Sequence, residues 1–348
     1  MASGIWSACM YCRNPSRQSG AALVVALLIF ALCAALLVSI EKEGQLFYQR
    51  MANGFQGQQT YAYLLGAEQL AFNLLQLDNE LDAQTEVPRD TLMEVWAEQS
   101  PPYPLDEGGY LVGRLEDLEG RFNLNTLVGN TGATDSSALT LDQRIFVRLL
   151  LTLGNEDGPL LDRFQAVAIV NAIGDWLDGD NNPRSNGAED LVYQSKQPPY
   201  RAANRMWVSP SELMAIEGVT WEIYQQLAPL VTIWPDDGGK INIHTAPAQV
   251  LQALPGGEQL EPKLASDVQM LVEQRDQLGF GSVDELLQDP FFAENDRAAL
   301  QPLLTEKTNT FLLMAEASVA ERPQQLYSVL SRKNGQFRVL TRVQGTSL

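Results

Sequence analysis

The stretch Asp175–Tyr193, DWLDGDNNPRSNGAEDLVY, holds the densest set of oxygen donors in the chain. Laid on the twelve-residue calcium loop, Asp178 takes the first position, Asp180 the third, Asn182 the fifth, Asn186 the ninth and Glu189 the twelfth, with the Arg184 carbonyl at the seventh. Hard oxygen ligands at alternating positions suit a calcium ion, which accepts six to eight of them. The sixth position is Pro183 rather than the glycine that makes the sharp EF-hand turn, so the segment is calcium-loop-like. A solvated acidic loop that caps a helix accounts for the same residues.

Other chemistry is sparse. His244 is the single histidine, so a His-dependent triad or a zinc site would have to use that one ring. It stands where the related segment Gly120–Thr126, GRFNLNT, has Asn125, which points to a structural hydrogen-bonding role. Adjacent carboxylates such as Glu189–Asp190 and Asp236–Asp237 are expected in so acidic a chain, and no glycine-rich phosphate loop precedes a helix. No catalytic constellation emerges, and the chain reads as a non-enzyme. Cys9 and Cys12 form a C-x-x-C without a second pair, and Cys33 lies in an apolar run, so the chain beyond residue 40 can form no disulfide of its own.

The uncharged run Ala21–Ile40 makes a helix on the order of 30 Å long, enough to cross a bilayer. Its small residues, Ser19 and Gly20, precede the run instead of following it, unlike those of a secretory signal. Arg13 and Arg17 precede it with no acid among the first twenty residues, which puts the N-terminus in the cytoplasm and the rest outside. The exported part keeps 22 of the 24 basic residues against all 43 acidic ones, a net charge of −21. That charge repels phosphate backbones and favours divalent cations.

Helical spacing continues past Ile40, with Phe47, Met51 and Phe55 and then Ala62, Leu65, Phe72 and Leu75 as an apolar stripe. Strand-like stretches flank Glu119–Gly120, and three more occupy the C-terminal region, where Asn334–Gly335 favours a tight hairpin turn. Strands at both ends imply one sheet interrupted by an insertion. The middle is predicted helical, and GRFNLNT recurs as GKINIHT at Gly239–Thr245, so the insertion reads as two related bundles. Ile241–Gly257 resembles a helix-hairpin-helix module. Residues 239–305 carry four basic and ten acidic side chains, a net −6 that opposes DNA contact.

A basic leader ending in Gly20, an uncut apolar helix and a small sheet together resemble the type IV prepilins and pseudopilins. The fifth residue counted from Ala21 is Val25 where most members have glutamate. With DWLDGDNNPRSNGAEDLVY, with PYRAANRMWVSPSEL at Pro199–Leu213, and with the large insertion, that absence resembles the K-type minor pseudopilins of type II secretion.

The resemblance implies an α+β, type IV pilin-like fold, a long N-terminal helix packed on a small antiparallel sheet. Into it is set an all-α insertion of two SAM- or helix-hairpin-helix-like bundles. The implied divisions are a leader at 1–20, a membrane helix at 21–40, the pilin helix and first strands at 41–125, the insertion at 126–305 and closing strands at 306–348. It implies cleavage by a prepilin peptidase between Gly20 and Ala21, N-methylation of Ala21, and calcium held by Asp178, Asp180, Asn182, Glu189 and Asp190. Implied partners are the I-, J- and H-type minor pseudopilins, the major pseudopilin and the inner membrane, with no nucleic acid. The implied role is the tip of a periplasmic filament that exports folded proteins. Val25 fits a tip because the family's glutamate pairs with the amino terminus of the subunit above, and a tip has none. The alternatives are a membrane-anchored DNA-uptake receptor and a calcium-dependent envelope hydrolase.

Overall fold

The structure, a computed structural model, describes residues 19–106, 108–128, 139–155 and 158–345. The chain divides into two compact units, residues 1–59 and 60–348, and helix α1 (Ser19–Asp82) contributes to both. In the first unit the apolar side chains of α1, Leu23 to Ile40 and on to Phe47, Met51 and Phe55, are exposed. This is the one helix among the described residues that is long and apolar enough to cross a membrane.

The second unit is built on a five-stranded sheet with the order β1–β2–β9–β10–β11, every neighbour antiparallel. Strands β1 (Tyr103–Pro104) and β2 (Gly109–Asp117) come from the first half of the chain, whereas β9 (Thr310–Val319), β10 (Arg322–Ser331) and β11 (Arg338–Gln344) come from its end. Leu64, Ala67, Ala71 and Leu75 of α1 form the buried stripe, packed with Leu115, Phe311, Leu313, Ala315, Ala317, Leu326 and Leu330. Small alanines let helix and sheet approach closely. Of the expected stripe, Leu75 lies in the seam and is fully buried, Leu65 and Phe72 flank it, and Ala62 is exposed. Glu68 on the same face is buried and receives both Arg342 Nε (2.9 Å) and Nη2 (2.7 Å), along with Ser328 Oγ (2.8 Å).

The hairpin from β10 to β11 is not the two-residue turn expected at Asn334–Gly335. Residues 332–337 separate the strands and include a short 3-10 turn at Lys333–Gly335. The tight two-residue loop is instead Ala320–Glu321 between β9 and β10, where both residues take positive φ (51° and 61°) to match the strand twist.

Between β2 and β9 lies the helical insertion, made of two units that each close on a short parallel rung. In the first, β3 (Phe122–Asn123) pairs with β6 (Val231–Thr232); in the second, β7 (Ile241–Asn242) pairs with β8 (Leu304–Thr305). The repeated motif supplies the first strand of each rung. Asn123 Oδ1 accepts the Asn125 N–H at 2.9 Å and Asn242 Oδ1 accepts the His244 N–H at 3.0 Å, the same local turn twice. The first unit holds α2 (Leu141–Leu151), a two-residue β4/β5 rung (Gly154–Asn155 with Gly158–Pro159), α3 (Arg163–Leu177), α4 (Asp190–Gln194) and α5 (Trp221–Leu227). The second holds α6 (Ala248–Ala253), α7 (Ala265–Leu278), α8 (Val283–Leu286) and α9 (Glu294–Leu300). Capping boxes at Thr140/Gln143 and Asp162/Gln165 start α2 and α3 by satisfying otherwise orphaned N–H groups. The SPSEL segment forms a 3-10 turn, Pro210–Ala215, started by Ser209.

Insertion and sheet are sewn together by one buried polar junction. Asp117, at the end of β2, accepts the Thr245 and Thr308 hydroxyls and Asn242 Nδ2 on Oδ2, and the Glu119 N–H on Oδ1. Asn242 Nδ2 also reaches the Asp90 carbonyl at 3.0 Å. Arg332, beyond β10, donates to Asp90, to Asp78 of α1 (2.6 Å) and to the Thr308 carbonyl (3.0 Å). Helix end, loop, both sheet halves and the second insertion unit thus meet at one set of charges. Replacing Arg332 by methionine should leave Asp78 and the buried Asp90 without their cationic partner, Asp90 keeping only the Thr308 N–H, and cost on the order of 3–5 kcal/mol, read by chemical denaturation.

Burial pushes the Glu119 carboxyl from 4.5 up to about 7, with the charge of Asp117 adding to it. A raised carboxyl pKa means that the folded state holds its proton more tightly than the unfolded chain. Its contribution is therefore full below about pH 4.5 and is lost as pH rises through about 7. Glu119→Gln should raise stability at about pH 8, on the order of 1–3 kcal/mol, and leave it nearly unchanged near pH 4.5, as measured by thermal melts at both pH values.

Candidate cation-binding loop

Helix α3 ends at Leu177, and Asp178 is its C-cap, with extended backbone that turns the chain outward. The loop returns at Glu189, which precedes α4. Behind it, Tyr193 stacks on Tyr200 (centroids 5.2 Å apart) and meets the Trp176 edge (5.2 Å), a rigid aromatic floor. Asn171 Nδ2 donates to the Ser185 carbonyl at 2.8 Å, which ties the loop's middle back to α3.

Within this frame Asp178, Asp180 and Glu189 each bring a carboxylate oxygen to within 4.8 Å of the others. Glu189 is only 4% exposed, and neither of its oxygens has a hydrogen-bond partner. A buried carboxylate without donors is costly unless it is protonated or meets a cation. Burial, followed by the charges of Asp175 and Asp178, pushes Glu189 up to about 7. Burial also raises Asp178, and it lifts Asp175 to about 6 against the opposing pull of Arg184. The donor set is all oxygen, with no thiolate or imidazole, which suits calcium better than zinc or copper.

The remaining sequence candidates are placed differently. Asn182 is exposed, and its N–H donates to Asp180 Oδ1 at 2.8 Å. Asp190 stands outside the group: its Oδ1 accepts the Ala202 N–H (3.0 Å) and its Oδ2 accepts Gln194 Nε2 (3.3 Å), so it fastens α4 to the following loop. The Arg184 carbonyl accepts the Gly187 N–H at 2.9 Å and closes a turn. Two participants were missed from sequence, Asp175 and the Arg184 side chain. Asp175 was signalled by its position three residues before Asp178 on a helix; nothing local signals the guanidinium.

A second trio, Asp78, Asp90 and Glu94, has comparable geometry, but Arg332 already bridges two of its members. His244 is buried, and burial together with Arg89 lowers its pKa to about 4, so the ring is neutral. Its expected hydrogen-bonding role belongs to the backbone; Nε2 has no partner and the ring lies against Phe280. In the hairpin between α6 and α7, the Gly256 N–H is held by Asp296 Oδ2 (2.9 Å). The fully buried Arg148 grips the carbonyls of Ala253, Leu254 and Gln259. Of the amides that such a turn would offer to a phosphate, that of Gly256 is engaged by a carboxylate inside the protein. In α1, Gly20 and Ala21 lie in the first turn, and Val25 is exposed one turn on. Cys9 and Cys12 lie outside the described residues.

Two family models, both described as type II secretion system (T2SS), protein K, match residues 120–236 and 241–307. The type II secretion system protein K of Pectobacterium carotovorum subsp. carotovorum is 33% identical across 95% of this chain and 97% of its own length. That of Pseudomonas aeruginosa is 33% identical across 94% and 93%. The chain belongs to the type II secretion system protein K family. A chain of the crystal structure of the GspK–GspI–GspJ complex from the enterotoxigenic Escherichia coli type 2 secretion system superposes with a TM-score of 0.71. It shares 28% identity and covers 86% of this chain and 100% of that one. The fold is accordingly the α+β, pilin-like one with a helical insertion. The two protein K matches divide between β6 and β7, where one parallel-rung unit gives way to the next.

Proposed function

We propose that this protein K is the tip subunit of the type II secretion filament, a non-enzymatic assembly protein. It nucleates the filament with the I- and J-type minor pseudopilins, followed by the H-type and the major pseudopilin, so that folded proteins leave across the outer membrane. The observation that carries the reading is the likeness, over 86% of this chain, to a chain of the GspK–GspI–GspJ complex. On this reading prepilin peptidase cuts after Gly20 and Ala21 is methylated. Helix α1 then holds the chain in the inner membrane with the bulk of it in the periplasm.

Val25 supports the tip position. A glutamate there would need the amino terminus of a subunit above it, since an unpaired carboxylate in hydrocarbon costs several kcal/mol. Valine meets no such need.

The loop around Asp178, Asp180 and Glu189 is the calcium site. Glu189, with two free oxygens, suits a bidentate contact, which favours calcium over the smaller, octahedral magnesium. The ion joins the end of α3 to the start of α4 and stabilises this half of the insertion, with no turnover attached to it. The DNA-receptor reading is opposed by the −6 charge of residues 239–305 and by the carboxylate of Asp296 that holds the Gly256 amide of the hairpin.

Co-expression with the I- and J-type partners tests the assembly role. A stable ternary complex that contains this chain is expected, and a chain that elutes alone would count against it. Calcium at about a hundredfold over its Kd should stabilise the protein by about 2.7 kcal/mol, visible as a rise of several degrees in Tm. Asp178→Asn and Glu189→Gln should abolish that rise.

A further inference from the structure

Arg184 is the only basic side chain between Asp175 and Asp190, and it is placed against two of the five acids in that stretch, Asp175 and Asp178. Its Nη2 lies 2.9 Å from Asp178 Oδ2 and its Nη1 lies 3.4 Å from Asp175 Oδ1. Its backbone N–H reaches both Asp175 oxygens at 3.2 Å. Asp175 is fully buried, and the Arg184 side chain is 21% exposed.

Two glycines make room for this arrangement. A Cβ on Gly174 would come within 1.7 Å of Arg184 Nη1, so the guanidinium lies directly on the backbone of α3. A Cβ on Gly187 would fall 2.0 Å from Asp175 Oδ2, so the returning strand of the loop presses on the same carboxylate. The slot is shaped to the planar fork. With Oδ2 taken by Nη2, Asp178 keeps Oδ1 on the Asp180 side, where it accepts the Asp180 N–H at 3.4 Å.

We propose that Arg184 is a positioning residue for the cation, forked across Asp175 and Asp178 so that Asp178 presents a single fixed oxygen beside Asp180 and Glu189. This rests on the cation reading of the loop. Outer partners of ligating carboxylates fix their orientation, and their loss commonly weakens metal affinity by about tenfold or more. A lysine carries the same charge but cannot span two carboxylates as a rigid fork. Arginine is therefore required for its shape, and the lysine variant separates shape from charge.

The test uses the full-length protein in detergent, stripped with EGTA and titrated calorimetrically with calcium chloride, as wild type, R184K, R184Q and D178N. Wild type should bind saturably and D178N should lose binding. R184K and R184Q should both weaken binding by about tenfold or more, with far-UV circular dichroism unchanged at saturating calcium. Terbium lifetimes in H2O and D2O should show about one additional bound water in R184Q, since a loosened Asp178 admits solvent to the ion. Wild-type affinity in R184K would overturn the assignment by making Arg184 a charge only. Tighter binding in R184Q would overturn it by making the guanidinium a competitor for Asp178, and so would a terbium water count equal to that of wild type. Should wild type show no saturable binding, or D178N bind as wild type does, the cation reading itself falls and this assignment falls with it.

Discussion

Asp117 is the constraint on which the second unit depends. It is buried at the end of β2, where the chain leaves the sheet for the insertion, and it accepts hydrogen bonds from Thr245, Asn242, Thr308 and its own Glu119 amide. The three side-chain donors belong to segments that must return to this point, and a buried carboxylate that loses donors is costly. Asn242 does double service, since its Oδ1 sets the turn at His244 while its Nδ2 binds Asp117 and the Asp90 carbonyl. The repeat thus supplies a local turn in both halves and, in the second half alone, the attachment to the sheet.

Two groups of crowded carboxylates behave differently because of what faces them. At the junction Arg332 spans Asp78 and Asp90, so the charges are answered inside the protein. In the loop Arg184 answers Asp175 and part of Asp178, while Glu189 stays buried with both oxygens free. Similar composition gives a structural knot in one place and a buried carboxylate with unanswered oxygens in the other. The difference lies in how many donors the fold returns, not in how many acids the sequence contains.

Patterns with a short period were legible from the residues. The acids at 178, 180 and 189, the seven-residue Asn-containing motif and the apolar run Ala21–Ile40 are each read within a single continuous stretch of chain. The apolar stripe of α1 was legible at Leu75 but not at its centre, because docking chose Ala67 and Ala71, where small side chains admit the sheet, and helix periodicity does not rank alanine above phenylalanine. Asp190 looked like a ligand beside Glu189, but the first turn of α4 rotates it toward Ala202 and Gln194. The junction was illegible for a different reason: Asp90, Asp117, Asn242, Thr308 and Arg332 meet only through the folded topology.

The central claim, that the chain is a pilin-like building block, is tested most directly by the intact mass and N-terminal residue of protein purified from membranes, with and without a prepilin peptidase. A chain that begins at methylated Ala21 only when the peptidase is present is the predicted result. An uncut chain under both conditions, or one cut after the apolar run near Ile40, would contradict it.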